Sequence, residues 1–127
     1  MRALSSARAA LIVAWLFATI PSRAEAHAFP VRSDPRVGWT VSQPPSKVII
    51  WFDGELEPAF SMIEVRNSAK QRIDKGNSRV NSSDPSVLEV DLPVLAPGIY
   101  RVYWKVLSKD THITEGDFFF TISDKAQ

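Results

Sequence analysis

No cysteine occurs among the 127 residues, which excludes disulfides and thiolate metal ligands. Most structural zinc sites are excluded with them. Methionine is scarce, at two residues, and so is histidine, also at two. Lysine and arginine form no cluster past the first 26 residues, and aromatic residues do not alternate with basic ones. The chain therefore carries no nucleic-acid-binding signature. The one marked apolar run, residues 9–20, is shorter than the roughly 20 residues that a spanning helix needs.

What is present begins with a secretory pattern. Arg2 and Arg8 give a positive start, residues 9–20 are apolar, and Pro21-Ser22-Arg23 leads to the small-x-small site Ala24-Glu25-Ala26. This order predicts a cleaved signal peptide over residues 1–26 and an exported domain over residues 27–127, with no stable membrane insertion after cleavage. Removing the signal takes three arginines and one glutamate, leaving 12 basic and 13 acidic residues. The basic balance thus belongs to the precursor alone. The 101 residues that remain suffice for one domain with a modest core.

Residues 47–52 are rich in β-branched and aromatic types after Pro44-Pro45, which predicts a strand. In residues 61–66, alternation puts Met62, Glu64 and Arg66 on one face, opposite Ile63 and Val65. Asn67-Ser68-Ala69-Lys70 reads as a turn, and residues 87–92 alternate again. The clearest strand is 100–107, with Tyr100, Val102, Trp104 and Val106 facing inward. A last strand spans 116–122, and short ones are expected at 29–33 and 39–41. About seven strands at this spacing predict an all-β fold, a small antiparallel Greek-key β-sandwich of immunoglobulin type. Pro97-Gly98-Ile99-Tyr100 resembles the tyrosine corner of such sandwiches. Trp39, Trp51 and Trp104 are expected in the core or on a sheet face, and Met62 as a packing residue.

Both histidines stand in positions with chemical meaning. Cleavage after Ala26 would give His27 a free α-amine, a group whose proton a metal displaces easily because its pKa is about 7.7–8.0. Amine and imidazole Nδ1 of one residue then close a six-membered chelate ring. Asp110-Thr111-His112 follows the clearest strand. If the extended backbone continues, Asp110 and His112 project to the same side. Taken singly, each feature has an ordinary explanation: a chance cleavage position, or an aspartate orienting a histidine. Together they supply two imidazoles, an amine and a carboxylate, a tetragonal set that suits copper(II) better than calcium, magnesium or copper(I). Zinc accepts the same donors, though usually in a tetrahedron.

These residues carry a family resemblance. His27-Ala28, Ser33-Asp34-Pro35, Pro44-Pro45, Phe52, Pro58-Ala59-Phe60, Gly98-Ile99-Tyr100-Arg101-Val102 and the run from Trp104 through Asp110, His112, Thr114 and Gly116 to Phe118 occur in the order that resembles the CopC-type periplasmic copper-binding proteins. The resemblance covers nearly all of residues 27–127. It implies a Greek-key sandwich in the periplasm that binds copper(II) for sequestration, delivery or resistance without being an enzyme. It also implies His27, Asp110 and His112 as metal ligands, and an inner-membrane partner of the CopD type. Two departures stand out. With Met62 alone past the signal, a methionine-rich copper(I) site is not expected. An acidic residue often follows the Phe near the metal in the family, and here Phe52-Asp53-Gly54-Glu55 makes Asp53 the candidate. Glu115 and Asp117 read as solvated strand acids.

Two other readings fit the residues. A copper monooxygenase also uses an N-terminal histidine chelate on a β-sandwich, but leaves copper positions open to oxygen, one of which Asp110 would fill here. A metal-free adhesion or assembly module would need neither histidine.

Overall fold

The computed structural model describes residues 27–124, and the expected signal peptide lies outside them. Eight strands form: β1 (Pro30–Asp34), β2 (Thr40–Val41), β3 (Lys47–Phe52), β4 (Met62–Arg66), β5 (Arg79–Val80), β6 (Val87–Asp91), β7 (Gly98–Leu107) and β8 (Ile113–Ile122). They assemble into two four-stranded sheets, ordered β1-β3-β6-β5 and β2-β8-β7-β4. Only β5–β6 and β7–β8 are neighbours in both sequence and sheet, so the chain crosses repeatedly between sheets. The expected all-β sandwich is what the chain adopts.

Alternation decides which face each strand buries. In β3, Val48, Ile50 and Phe52 point inward, and in β4 Ile63 and Val65 do the same. Val102 and Val106 of β7 meet Phe118 and Phe120 of β8 in one core with Leu88 and Val90 of β6. Burying each such side chain contributes about 1.5–3 kcal/mol relative to exposure. The tyrosine corner forms as expected. The Tyr100 hydroxyl donates to the Ala96 carbonyl at 2.6 Å, and the ring stacks on Phe120 at 5.6 Å. Burial pushes the Tyr100 phenol pKa up.

Several expectations need correction. β5 was not expected, because its two residues show no alternation. β2 runs parallel to β8 through Thr40↔Thr121 and Val41↔Ile122, so the second sheet is mixed. β8 begins at Ile113, three residues before the expected start, because β7 pairs with it as far as Leu107↔Ile113. A 3-10 turn spans Pro58–Phe60. Trp39 is not a core residue: it is 54% exposed, with the Arg36 guanidinium 4.6 Å above its ring. Met62 is also exposed, in a shallow groove with Phe60, Lys105, Leu107 and Ile113, because its strand position faces away from the core.

Two contacts carry the core toward one end of the sandwich. The Trp104 indole packs edge-on against Phe52 at 5.4 Å. It also lies over Gly116, where an added Cβ would stand 2.7 Å from its Cζ2. Glycine is needed at 116 for this close approach. Phe52 in turn places the next residue, Asp53.

Candidate metal centre

Leu107 and Ile113 close the β7–β8 pair, and the chain between them makes a tight turn. Ser108 N–H donates to the His112 carbonyl at 2.9 Å, and Thr111 N–H to the Ser108 carbonyl at 2.9 Å. Thr111 takes a left-handed φ of 70°, which redirects the backbone so that the extended conformation expected through Asp110 does not continue. Asp110 and His112 nevertheless come together. His112 Nδ1 lies 3.4 Å from Asp110 Oδ1, brought there by the turn and not by strand alternation. The buried Ser108 hydroxyl anchors both, donating to the Asp110 carboxylate and accepting from His112 N–H at 3.2 Å. Lys109 N–H to the Glu55 carbonyl (3.0 Å) and Glu57 N–H to the Leu107 carbonyl (2.8 Å) tie this hairpin to residues 53–57.

His27 arrives from the other end of the chain. Asp53 holds its arm by a reciprocal pair. Phe29 N–H donates to Asp53 Oδ1 at 2.7 Å, and Asp53 N–H donates to the Phe29 carbonyl at 2.9 Å. Ala28 is fully buried beside Gly54, and its carbonyl accepts from the Thr114 hydroxyl at 2.7 Å. The His27 imidazole then meets His112 edge-on, ring centroids 4.4 Å apart, and Phe29 flanks it at 5.8 Å. The Nδ1 atoms of both histidines are shielded from solvent.

The structure thus brings His27 to His112 and His112 to Asp110. Asp53 binds the arm two residues beyond His27. Asp117 lies away from the cluster, paired with Arg101 at 2.5 Å, and Glu115 is exposed opposite Lys105. Among the described residues, no three His, Asp or Glu side chains are already gathered as a metal set. The Asp110 carboxylate is engaged by the Ser108 hydroxyl. In kind, two imidazoles and a carboxylate fit copper(II). Sequence reasoning gave no role to Thr114 or Ser108. Both lie in the run around Asp110 and His112, but their partners follow only from the fold.

The CopC domain family model matches residues 30–123. The chain belongs to the CopC family. Asp110 and His112 fall within the match, whereas His27 lies three residues before it. CopC from Methylosinus trichosporium OB3b superposes with a TM-score of 0.68 at 36% identity, over 76% of this chain and 94% of that one. PcoC from Escherichia coli, described as a methionine-rich copper resistance protein, gives 0.66 at 25% identity over 77% and 100%. Copper transport protein CutJ of Bacillus subtilis is 30% identical over 81% of this chain, which spans only 19% of that longer protein. Protein YobA of Escherichia coli K12 is 30% identical over 76% of this chain and 79% of its own length. Against methionine-rich PcoC, this CopC-family chain shows one methionine among its described residues, Met62.

Proposed function

We propose that this CopC-family chain is an exported copper(II)-binding protein that sequesters or delivers copper in the periplasm. Its ligands are the His27 amine and imidazole, the Asp110 carboxylate and the His112 imidazole. The observation that carries the reading is the 4.4 Å approach of the two imidazoles, which are the chain's only two histidines. Copper transport and copper resistance are the roles named for CutJ and PcoC, and copper is the cargo here. A further support is chemical: imidazole, amine and carboxylate together favour copper(II), and the scarcity of methionine offers little to copper(I).

Capture needs deprotonated ligands, so binding releases protons and weakens in acid. While His27 remains joined to Ala26, its nitrogen is an amide and the chelate ring cannot form. Removal of residues 1–26 therefore creates the site. The role is binding, with no catalytic step. A CopD-type inner-membrane protein is the proposed acceptor or donor of the metal. The much greater length of CutJ, of which this chain matches 19%, fits a copper-binding module working beside a larger transport machine.

The test compares protein beginning at His27 with protein carrying one extra residue before it. The extra residue should weaken copper(II) binding about a thousandfold, equivalent to ~4 kcal/mol, and change the electron paramagnetic resonance spectrum. Equal affinity with an identical spectrum would refute the chelate.

A further inference from the structure

We infer that Thr114 is the positioning residue of the copper site: its hydroxyl, by holding the Ala28 carbonyl, sets where His27 meets His112. The inference rests on the copper reading above. The arm of residues 27–29 precedes β1 and has two separate attachments. Asp53, just past the end of β3, fixes Phe29 to the first sheet through two hydrogen bonds. Thr114, on β8 of the second sheet, fixes Ala28 through one bond of 2.7 Å. The two attachments differ in what they control. The Asp53 pair locates the arm on the sheet that carries neither partner ligand. Thr114 stands two residues from His112, so its bond links both histidines through a short path: His27, Ala28, Thr114, Ile113, His112. One peptide unit separates the held carbonyl from His27, and two separate the holding hydroxyl from His112. The partly buried Thr114 and fully buried Ala28 keep this link out of competing water. Residues that orient metal ligands in this way commonly change affinity about ten- to a hundredfold.

Thr114→Val keeps the shape and removes the hydroxyl. In protein beginning at His27, it should weaken copper(II) binding about tenfold and shift the copper hyperfine splitting in the paramagnetic resonance spectrum. Thr114→Ser retains the hydroxyl and should restore both affinity and spectrum. Affinity of Thr114→Val within about twofold of wild type, with an unchanged spectrum, would overturn the inference. So would equal weakening by Val and Ser, which would point to packing and not to the hydroxyl. Melting of the metal-free variants separates a loss of fold from a loss of ligand placement. If Thr114→Val does not fold, Thr114→Ala against Thr114→Ser carries the same comparison. Failure of the wild type itself to bind copper(II) would remove the underlying reading, whereas the outcomes above, seen with a binding wild type, bear on Thr114 alone.

Discussion

Two polar clusters on this sandwich are built on opposite principles. On β6, both acids, Glu89 and Asp91, are matched by bases and amides. Glu89, only 7% exposed, accepts from Arg79 at 2.7 Å and Asn81 at 3.1 Å, with Lys47 at 3.4 Å. Asp91 takes Asn77 at 2.9 Å and Arg79 at 3.1 Å. At the histidine end, the converging groups are two imidazoles and a carboxylate, all of them bases. The first arrangement is complete in itself and holds the fold. The second sets one electron-pair donor beside the next, His27 against His112 at 4.4 Å between ring centroids and His112 Nδ1 3.4 Å from Asp110 Oδ1. Proximity of polar groups is common to both, so it is the kind of group brought together, acids with bases and amides or imidazoles with a carboxylate, that distinguishes the two clusters.

The contrast breaks most visibly in a pair of variants. His112→Ala should weaken copper(II) binding about a thousandfold, ~4 kcal/mol, while metal-free melting stays near that of the parent. Glu89→Ala leaves Arg79 and Lys47 around an emptied, buried position and should cost about 2–3 kcal/mol of stability. For a domain of this size that lowers the melting temperature by roughly 10 °C or more, with copper affinity unchanged. Copper titration and thermal melts on both proteins check the division. Weakened copper binding in Glu89→Ala would show that the clusters are not independent.

A smaller effect comes from acid. The Asn81 amide, against the upward push of burial, joins Lys47 and Arg79 in holding the Glu89 carboxyl below the ordinary range. Asn77 and Arg79 do the same for Asp91. Burial pushes Asp74 up, but the Arg72 bond and the Val65 and Gly76 amides outweigh it, and its pKa is lowered too. A lowered folded-state pKa gives stability that is present above the unfolded value and lost as pH falls through the folded one. With unfolded carboxylates near ~4, the urea midpoint should hold between about pH 7 and 5 and drop below about pH 4. Glu89→Gln should flatten the drop. A steep loss already between about pH 7 and 5 would contradict the assignment to these carboxylates.

The sequence reading succeeded where physics is local. Composition placed β3, and alternation placed β4, β6 and β7, the shared face of Ile63 and Val65, and the inward faces of Val102 and Val106, because a half-buried strand imposes a period of two. It missed β5, whose two residues are extended only because β6 offers Arg79↔Glu89 and Val80↔Leu88 as partners. It placed Asp110 beside His112 for the wrong reason, since the left-handed turn at Thr111 depends on closing the β7–β8 hairpin. Ala28 and Thr114 are 86 residues apart, so no local pattern could link them. The composition of the site was legible, and its assembly was not.

The smallest expected effect tests whether the two ends of β7 communicate. Tyr100 stands near the start of that strand and Leu107 at its end; at about 3.3 Å per residue, the tyrosine corner lies roughly 20 Å from the histidine hairpin. Tyr100→Phe keeps the stacked ring and removes one hydrogen bond to Ala96, which should cost about 1 kcal/mol and lower melting by roughly 4–8 °C. Copper(II) affinity should not move, because the turn at residues 108–112 is fixed by its own hydrogen bonds and by residues 53–57, none of which involves the corner. A parallel loss of affinity would mean that β7 transmits strain along its length. The histidine pair would then depend on the whole second sheet and not on its local anchors.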